Sequence, residues 1–238
     1  PAAGDTGCTF PDSAALKTAV DNCIAVDPTG VACCNHGADC GAAGTAEMPD
    51  WDVSLVTSMS ELFKSKASFN ADISRWDVSS VTSMAYMFGY GTPQFNADIS
   101  RWDVSSVRDM QLMFYYASKF KADISRWDVS SVGNMKWMLR GTPLFIADIT
   151  RWDTSKASDV SQMFDGTWMN RFQSSTATSN NGPPSAYVRI EDACDASYPP
   201  DNGDLGNCTD TLVSGTSCVP TCDAVYVLKG VTTCTNRM

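Results

Sequence analysis

The chain has 238 residues, of which 17 are Lys or Arg and 27 are Asp or Glu, so its formal net charge is −10. A negative field of this size repels nucleic-acid phosphates and anionic lipid, and it argues against both as partners. No apolar run approaches the roughly 18 to 20 residues that cross a bilayer, so no membrane span is expected. The chain begins at Pro1 without a charged and apolar leader, and we expect a processed or partial chain whose signal peptide is gone.

Residues 1–48 are expected to form a cysteine-rich N-terminal cap. They hold five of the ten cysteines, and the other five lie near the opposite end. The two sets are Cys8, Cys23, Cys33, Cys34 and Cys40, and Cys194, Cys208, Cys218, Cys222 and Cys234. Cysteines grouped outside a thiol-free middle are typical of disulfides in exported proteins, so we expect an extracellular chain, secreted or at the cell surface.

The odd number of cysteines at each end leaves the pairing open. One cysteine per end is free, bonded to another chain, paired with the other end, or paired beyond Met238. Cys33, Cys34, His36 and Cys40 could also suggest zinc, since thiolate and imidazole suit that metal. Disulfides are favoured because of the compartment, and we predict no metal and no cofactor.

Residues 49–172 contain five copies of one repeat. The copies are marked by tryptophans spaced 25, 26, 25 and 25 residues apart, namely Trp51, Trp76, Trp102, Trp127 and Trp152. Each tryptophan opens the string Trp-Asp-Val-Ser or a near copy of it. The extra residue of the second interval falls in the glycine- and proline-containing stretch 89–94, which we interpret as a loop.

The apolar period changes within each repeat. In the second repeat, Ile73, Trp76 and Val78 have the spacing of a short strand. The following apolar positions have the spacing of one helix face, with Ser79 as the N-cap, and they are Val81, Met84, Met87 and Phe88. The sequence therefore predicts an α/β repeat fold, a leucine-rich-repeat-like solenoid of five strand-helix turns between the cap and a small C-terminal module.

The repeat resembles that of a known family. The strings FNADISRWDVSSVTSMAYMF and FNADISRWDVSSVRDMQLMF are similar to the repeat of BspA-type leucine-rich-repeat surface proteins of bacteria and many protists. The resemblance covers about residues 51–164, and FPDSAALKTAV before them is similar to lead-in segments of algal members. It implies a leucine-rich-repeat solenoid at a cell surface with a role in adhesion or recognition, and it brings no catalytic residues.

Residues 173–185 are polar and contain Gly182-Pro183-Pro184, and we interpret them as a linker. The segment 186–238 resembles part of a sushi-like cysteine module, although Val225 stands where that pattern has glycine and no cysteine follows Cys234. Asn207, in Asn-Cys-Thr, is an N-glycosylation acceptor by sequence.

Two rows of charged residues flank the tryptophans and are predicted to point outward. The basic row is Arg75, Arg101, Arg126 and Arg151, and the acidic row is Asp77, Asp103, Asp128 and Asp153. The rows could form a groove for a polar partner such as a glycan, or for Ca²⁺. Mutual neutralisation of the two rows is favoured, because exposed ion pairs contribute only about 0–1 kcal/mol and are common. A further row, Asp72, Asp98, Asp123 and Asp148, is expected to accept hydrogen bonds that cap turns.

One column varies while its neighbours repeat, and it consists of Glu61, Tyr86, Leu112, Trp137 and Gln162. On the predicted helix, Tyr86 lies about 170° from the core direction, so Tyr86, Leu112 and Trp137 should form an exposed apolar stripe. Tyr90, Tyr115 and Tyr116 are expected beside it. Since monomers rarely leave such a row in water, we predict that it binds a partner, and the alternative is that loops or the C-terminal tail cover it.

An enzyme is not favoured. The chain has one histidine, in the cap, and no Gly-rich phosphate loop, nucleophile elbow or HExxH motif. Every candidate aspartate recurs in each repeat, so periodicity explains it without catalysis. We predict a non-catalytic extracellular structural or adhesion protein that contacts other chains of an assembly, or copies of itself. The alternative is a receptor-like or carbohydrate-binding ectodomain that uses the Arg and Asp rows.

Overall fold

A computed structural model of the chain describes residues 9–147, 149 and 151–167, and the backbone of four short strands farther on. The linker 173–185, the cysteines of the C-terminal segment other than Cys222 and Cys234, and Asn207 lie outside the described residues. Within the part that is described, no helix has the length and apolarity to cross a membrane.

The N-terminal cap is built on α1, Ser13–Val26. Asp12 caps this helix because its carboxylate accepts the backbone N–H of Ala15 at 2.8 Å. The buried side chains recur at helical spacing and are those of Leu16, Ala19, Val20 and Cys23. Three single 3₁₀ turns follow, at Cys34–His36, Gly41–Ala43 and Met48–Asp50.

The cap covers the first repeat directly. Thr9 forms a parallel bridge with Asp52, and the Phe10 N–H donates to the Asp52 carbonyl at 2.9 Å. The Phe10 ring lies 5.1 Å from the Trp51 ring. The backbone N–H of Ser58 donates to Ser13 Oγ at the start of α1. The cap therefore contacts both the polar backbone and the core side chains of the first repeat. The first repeat of an array needs such contacts, because no earlier repeat covers it.

The prediction of strand-helix repeats is wrong. Between Trp51 and Thr167, the described residues contain no helix and no strand, only tight turns and single-residue bridges. Trp76 N–H donates to the Ile73 carbonyl at 3.2 Å, so the expected strand is a turn. Met87 N–H bonds back to Met84 in a second turn at 3.1 Å. Apolar residues three apart fit successive turns as well as a helix, which is why the spacing did not distinguish the two.

Consecutive repeats pack against each other through their backbones. One bridge per repeat joins residues in the order Ser58, Ser83, Asp109, Asn134 and Asp159, all in parallel. Alternate N–H groups on one repeat donate to carbonyls of the next. From Met84, Tyr86 and Phe88 these bonds measure 2.9, 2.9 and 2.8 Å. Residues one repeat apart are thus neighbours, although no continuous strand joins them.

The interior consists of columns of aromatic and aliphatic side chains. Trp102 Nε1 donates to the Ile73 carbonyl of the preceding repeat at 3.1 Å, and Trp127 bonds to Ile99 in the same way. Phe88 and Phe95 stack at 3.7 Å, and the pairs 63–69 and 114–120 are equivalent. The prediction that the tryptophan of each repeat and the valine two residues later point inward is correct, since these side chains are buried.

The C-terminal segment contains two antiparallel pairs of short strands. β1 (Gly203–Asp204) pairs with β2 (Thr221–Cys222), and β3 (Tyr226–Lys229) pairs with β4 (Thr233–Asn236).

Candidate aromatic interaction surface

Five aromatic side chains from three consecutive repeats form one surface cluster. We call it the aromatic patch, and it consists of Tyr86, Tyr90, Tyr115, Tyr116 and Trp137. The ring centroids of Tyr86 and Tyr90 lie 5.9 Å apart, and those of Tyr90 and Tyr115 lie 4.6 Å apart. Tyr115 contacts Tyr116 edge to face at 4.5 Å and Trp137 at 5.9 Å. The sequence-predicted tyrosines and tryptophan are therefore brought together.

A left-handed backbone positions most of these rings. Two columns, four residues apart, adopt positive φ in every repeat. The first column is Glu61, Tyr86, Leu112, Trp137 and Gln162, with φ between 51° and 60°. The second is Ser65, Tyr90, Tyr116, Gly141 and Gly166, with φ between 52° and 74°. A residue with a Cβ adopts this conformation at a cost of roughly 1–2 kcal/mol. Every repeat therefore carries strain in the first column, and the first three repeats also carry it in the second column, where the last two have glycine.

The patch is not the stripe that a helix would produce. Leu112 is only 2% exposed and lies in the interior, so its predicted role in partner contact is wrong. The helix expected to direct it outward is absent, and Leu112 instead sits in a left-handed turn with φ 52°. Tyr86 and Trp137 are half-buried. The exposed rings are those of the second column, Tyr90 at 45% and Tyr116 at 52%.

Cationic side chains lie over the edge rings of the patch. Lys64 Nζ is 5.0 Å from the Tyr86 ring centroid and 5.9 Å from that of Tyr90. At the opposite edge, Lys136 and Arg140 lie 5.1 and 5.4 Å from Trp137. At these distances the ring faces attract the cations.

Each of these cations also has an acidic partner. Lys64 pairs with Glu61 at 2.9 Å, and Arg140 pairs with Asp165 at 3.0 Å. Lys136 lies 4.0 Å from Asp159. The rim of the patch is therefore locally close to neutral although the chain carries −10.

Two polar groups of the patch are partly withdrawn from water. Trp137 Nε1 is buried without a hydrogen-bond acceptor among the described residues. Burial raises the pKa of Tyr115, and the charges of Tyr116 and Tyr90 raise it further. The phenol of Tyr115 is therefore neutral at ordinary pH.

The acidic row beside the tryptophans belongs to the turns. Asp77 and Asp103 each accept the backbone N–H of the serine two residues later, at 3.1 and 3.0 Å. Asp128 and Asp153 do the same at 3.0 and 2.9 Å. Hydrogen bonds from those serines hold the pKa values of Asp128 and Asp153 below the ordinary range. These carboxylates are exposed, but their geometry is fixed by the backbone.

Among the described residues no ion pair joins the basic row to that acidic row, and their mutual neutralisation stays a prediction. Arg75, Arg101 and Arg126 instead act electrostatically on the further row, Asp72, Asp98 and Asp123 respectively. Arg75 also pairs with Asp50 at 2.7 Å. Arg101, Arg126 and Arg151 are exposed.

The further aspartate row caps turns, as predicted. Its members accept backbone N–H groups from Ser74, Ser100 and Ser125, each at 2.9 Å. Asp148 lies outside the described residues.

The cysteines of the cap form two disulfides, Cys23–Cys33 and Cys34–Cys40. Cys33, Cys34 and Cys40 have sulfur atoms within 4.8 Å of one another, the closeness that also suggests a metal cluster. Two disulfides formed by neighbouring cysteines account for this closeness, and disulfides are the state that the sequence favours for these residues. Cys8 lies outside the described residues.

Comparison with known proteins identifies one family. The model described as "Mycoplasma protein of unknown function, DUF285" matches residues 38–142 and 90–181, two overlapping matches that together cover more than half of the chain. No curated protein and no solved structure matches the chain.

Proposed function

The chain belongs to this DUF285 family, and we propose that it is a non-catalytic binding protein of the cell exterior whose aromatic patch contacts another protein chain. The observation that carries the proposal is the placement of Tyr90 and Tyr116, exposed at 45% and 52%, in left-handed backbone positions. An exposed ring adds little to folding, and its backbone conformation costs free energy. A role in contact accounts for large aromatic residues where glycine, present at Gly141 and Gly166, fits without strain.

The composition of the patch favours a protein partner. Tyrosine, tryptophan and arginine are the residues most often found at the energetic centre of protein interfaces. Tyr90, Tyr116 and Trp137 offer rigid rings with few rotatable bonds, and Arg140 lies over Trp137. Because the rim is locally neutral, burial of ring surface is expected to dominate the contact, and the affinity should depend weakly on salt.

The extracellular setting rests on two lines of support. The cap holds two disulfides, which persist in oxidising compartments. The repeat resembles that of BspA-type surface proteins, which suggests a role in adhesion within a larger assembly. N-glycosylation at Asn207 belongs to the same proposal.

A polar ligand on the Arg and Asp rows is less well supported. The carboxylates of Asp77 and Asp103 already accept backbone hydrogen bonds. Such a ligand would bind through Arg101 and Arg126, and its affinity would fall steeply with salt. The salt dependence of the affinity therefore distinguishes a protein partner on the aromatic patch from a polar ligand on the charged rows.

The test compares three full-length proteins: wild type, Tyr90→Ser/Tyr116→Ser, and Leu55→Ser as a control for an exposed apolar side chain outside the patch. Complexes are cross-linked at the surface of the source cells, the partner is identified, and its affinity is measured by calorimetry at low and high salt. We expect the patch variant to bind its partner at least about tenfold more weakly, because residues at the energetic centre of the interface are removed. The control should bind with the affinity of the wild type. Equal affinities in the patch variant and the wild type would overturn the proposal.

A further inference from the structure

We propose that Tyr90 and Tyr115 are the site of a dityrosine cross-link between the second and third repeats, formed when the chain meets hydrogen peroxide and a haem peroxidase. This modification site does not depend on the proposed binding role. It needs only a one-electron oxidant and the geometry of these two rings.

The two phenols are held in contact by the fold. Their ring centroids lie 4.6 Å apart at an interplanar angle of 45°. The Tyr90 N–H donates to the Tyr115 carbonyl at 3.0 Å, so the two backbones cannot drift apart while the repeats stay packed. Tyr90 is 45% exposed and Tyr115 is half-buried, which gives an oxidant access to one ring of the pair.

The other ring pairs of the patch are less suitable. A dityrosine bond joins the two carbons ortho to the hydroxyls, so the ring edges must meet. Tyr86 and Tyr90 are stacked with centroids 5.9 Å apart, and Tyr115 and Tyr116 are perpendicular at 89°, which directs an edge at a face. The tilted pair, Tyr90 and Tyr115, combines a centroid separation of 4.6 Å with an interplanar angle of 45°, between the stacked and the perpendicular arrangement.

The reaction balances without any further reagent. Each phenol loses one electron and its hydroxyl proton to the peroxidase, which leaves two tyrosyl radicals with spin on the ortho carbons. The two ortho carbons form one carbon–carbon bond. Each ortho hydrogen then moves as a proton to its own phenolic oxygen, which restores both aromatic rings and both hydroxyls. One peroxide is reduced to two waters, and the protein loses two hydrogen atoms.

The cross-link would supply a covalent tie where the sequence has no disulfide. Residues 41–193 contain no cysteine, so no disulfide can join one repeat to the next. A bond between positions 90 and 115 closes a loop of one repeat and restricts the unfolded chain, as a disulfide does. We expect the thermal midpoint of the repeats to rise by several degrees, on the order of 5–10 °C.

The experiment treats the dilute, purified full-length chain with a haem peroxidase and peroxide. Dityrosine is followed by its fluorescence and the linked peptides are found by tryptic mapping. Fragmentation of the joined peptides in the mass spectrometer then distinguishes Tyr90 from Tyr86 and Tyr115 from Tyr116. Cleavage after Arg75, Arg101, Arg108 and Lys119 places Tyr90 in the peptide 76–101 and Tyr115 in 109–119. We expect these two peptides joined, with the mass of two hydrogen atoms missing.

Matched variants make the result specific. Tyr90→Phe removes one phenol and keeps the ring, and the yield of the joined peptides should fall at least tenfold. Tyr86→Phe, at the neighbouring ring, should leave the yield unchanged. Circular dichroism before oxidation checks that both variants fold. Joined peptides at wild-type yield in Tyr90→Phe, or dityrosine found only between molecules or only at tyrosines outside the patch, would overturn the proposal.

Discussion

Gly141 lies directly beneath the ring of Tyr116: a Cβ built on Gly141 would be 2.6 Å from Cδ1 of that ring. Gly141 also has φ 74°, and it occupies the same column as Tyr116, one repeat later. The glycine therefore does two things for the patch. It takes the left-handed conformation without strain, and it leaves room for the exposed tyrosine to lie against the backbone.

Gly141→Ala is expected to lower the free energy of unfolding by about 1–3 kcal/mol, because it adds left-handed strain and forces the Tyr116 ring to move. Denaturant unfolding measures the change. Gly133→Ala is the matched control, since its Cβ would meet only the Arg108 carbonyl at 3.7 Å, an ordinary contact. If both substitutions cost the same, the close approach at Tyr116 has no energetic consequence.

The two left-handed columns explain why the sequence could not predict the local backbone of the repeats. Met84 and Met87 are three residues apart and both buried, which suits a helix or two successive turns equally. The residue that separates these possibilities is Tyr86, whose φ of 60° ends any helix there. Left-handed positions are normally recognised by glycine or asparagine, and the first column contains neither. The second column ends in Gly141 and Gly166, and this was the available signal.

What depended only on the period of the repeat could be predicted. Trp102 and Trp127 are one period apart, and their ring planes stack within 6° at 6.4 Å. Burial of the tryptophans follows from that period whatever the local backbone does. The direction of Leu112 depended on helix geometry, and that prediction failed with the helix.

Leu112→Ala tests the corrected position of this side chain. Truncating a buried leucine removes transfer free energy and leaves a cavity, so the free energy of unfolding should fall by about 2–5 kcal/mol. A helix would have placed Leu112 in solvent, where the substitution costs almost nothing. Leu55→Ala, at a leucine that is 60% exposed, is the control and should be close to neutral in the same urea titration. A neutral Leu112→Ala would contradict its burial.

Trp102→Phe tests the hydrogen bond that ties one repeat to the one before it. The change removes one of the two donors to the buried Ile73 carbonyl, which keeps the Trp76 N–H, and it also reduces the volume of the tryptophan column. We expect the free energy of unfolding to fall by about 1–3 kcal/mol, the sum of one lost hydrogen bond and a small cavity. Hydrogen exchange should quicken at Met84 and Phe88, whose N–H groups lie in the adjoining ladder. Unchanged hydrogen exchange at these two residues would mean that the Trp102 hydrogen bond does not stabilise the backbone ladder between the second and third repeats.

Acid should destabilise the repeats through the aspartates that cap their turns. Hydrogen bonds from Ser100 hold the pKa of Asp98 below its ordinary value of 3.8, and Asp72 and Asp123 have equivalent serines. A carboxylate whose pKa is lower in the folded chain stabilises the fold fully above 3.8, and the contribution is lost as the pH falls through the folded value. The urea midpoint should therefore be flat near neutrality and drop below about pH 4. Asparagine keeps an acceptor for the serine N–H but does not titrate, so the triple change Asp72→Asn/Asp98→Asn/Asp123→Asn should flatten the acid limb. If the urea midpoint of the triple variant falls below pH 4 as steeply as that of the wild type, other groups cause the pH dependence.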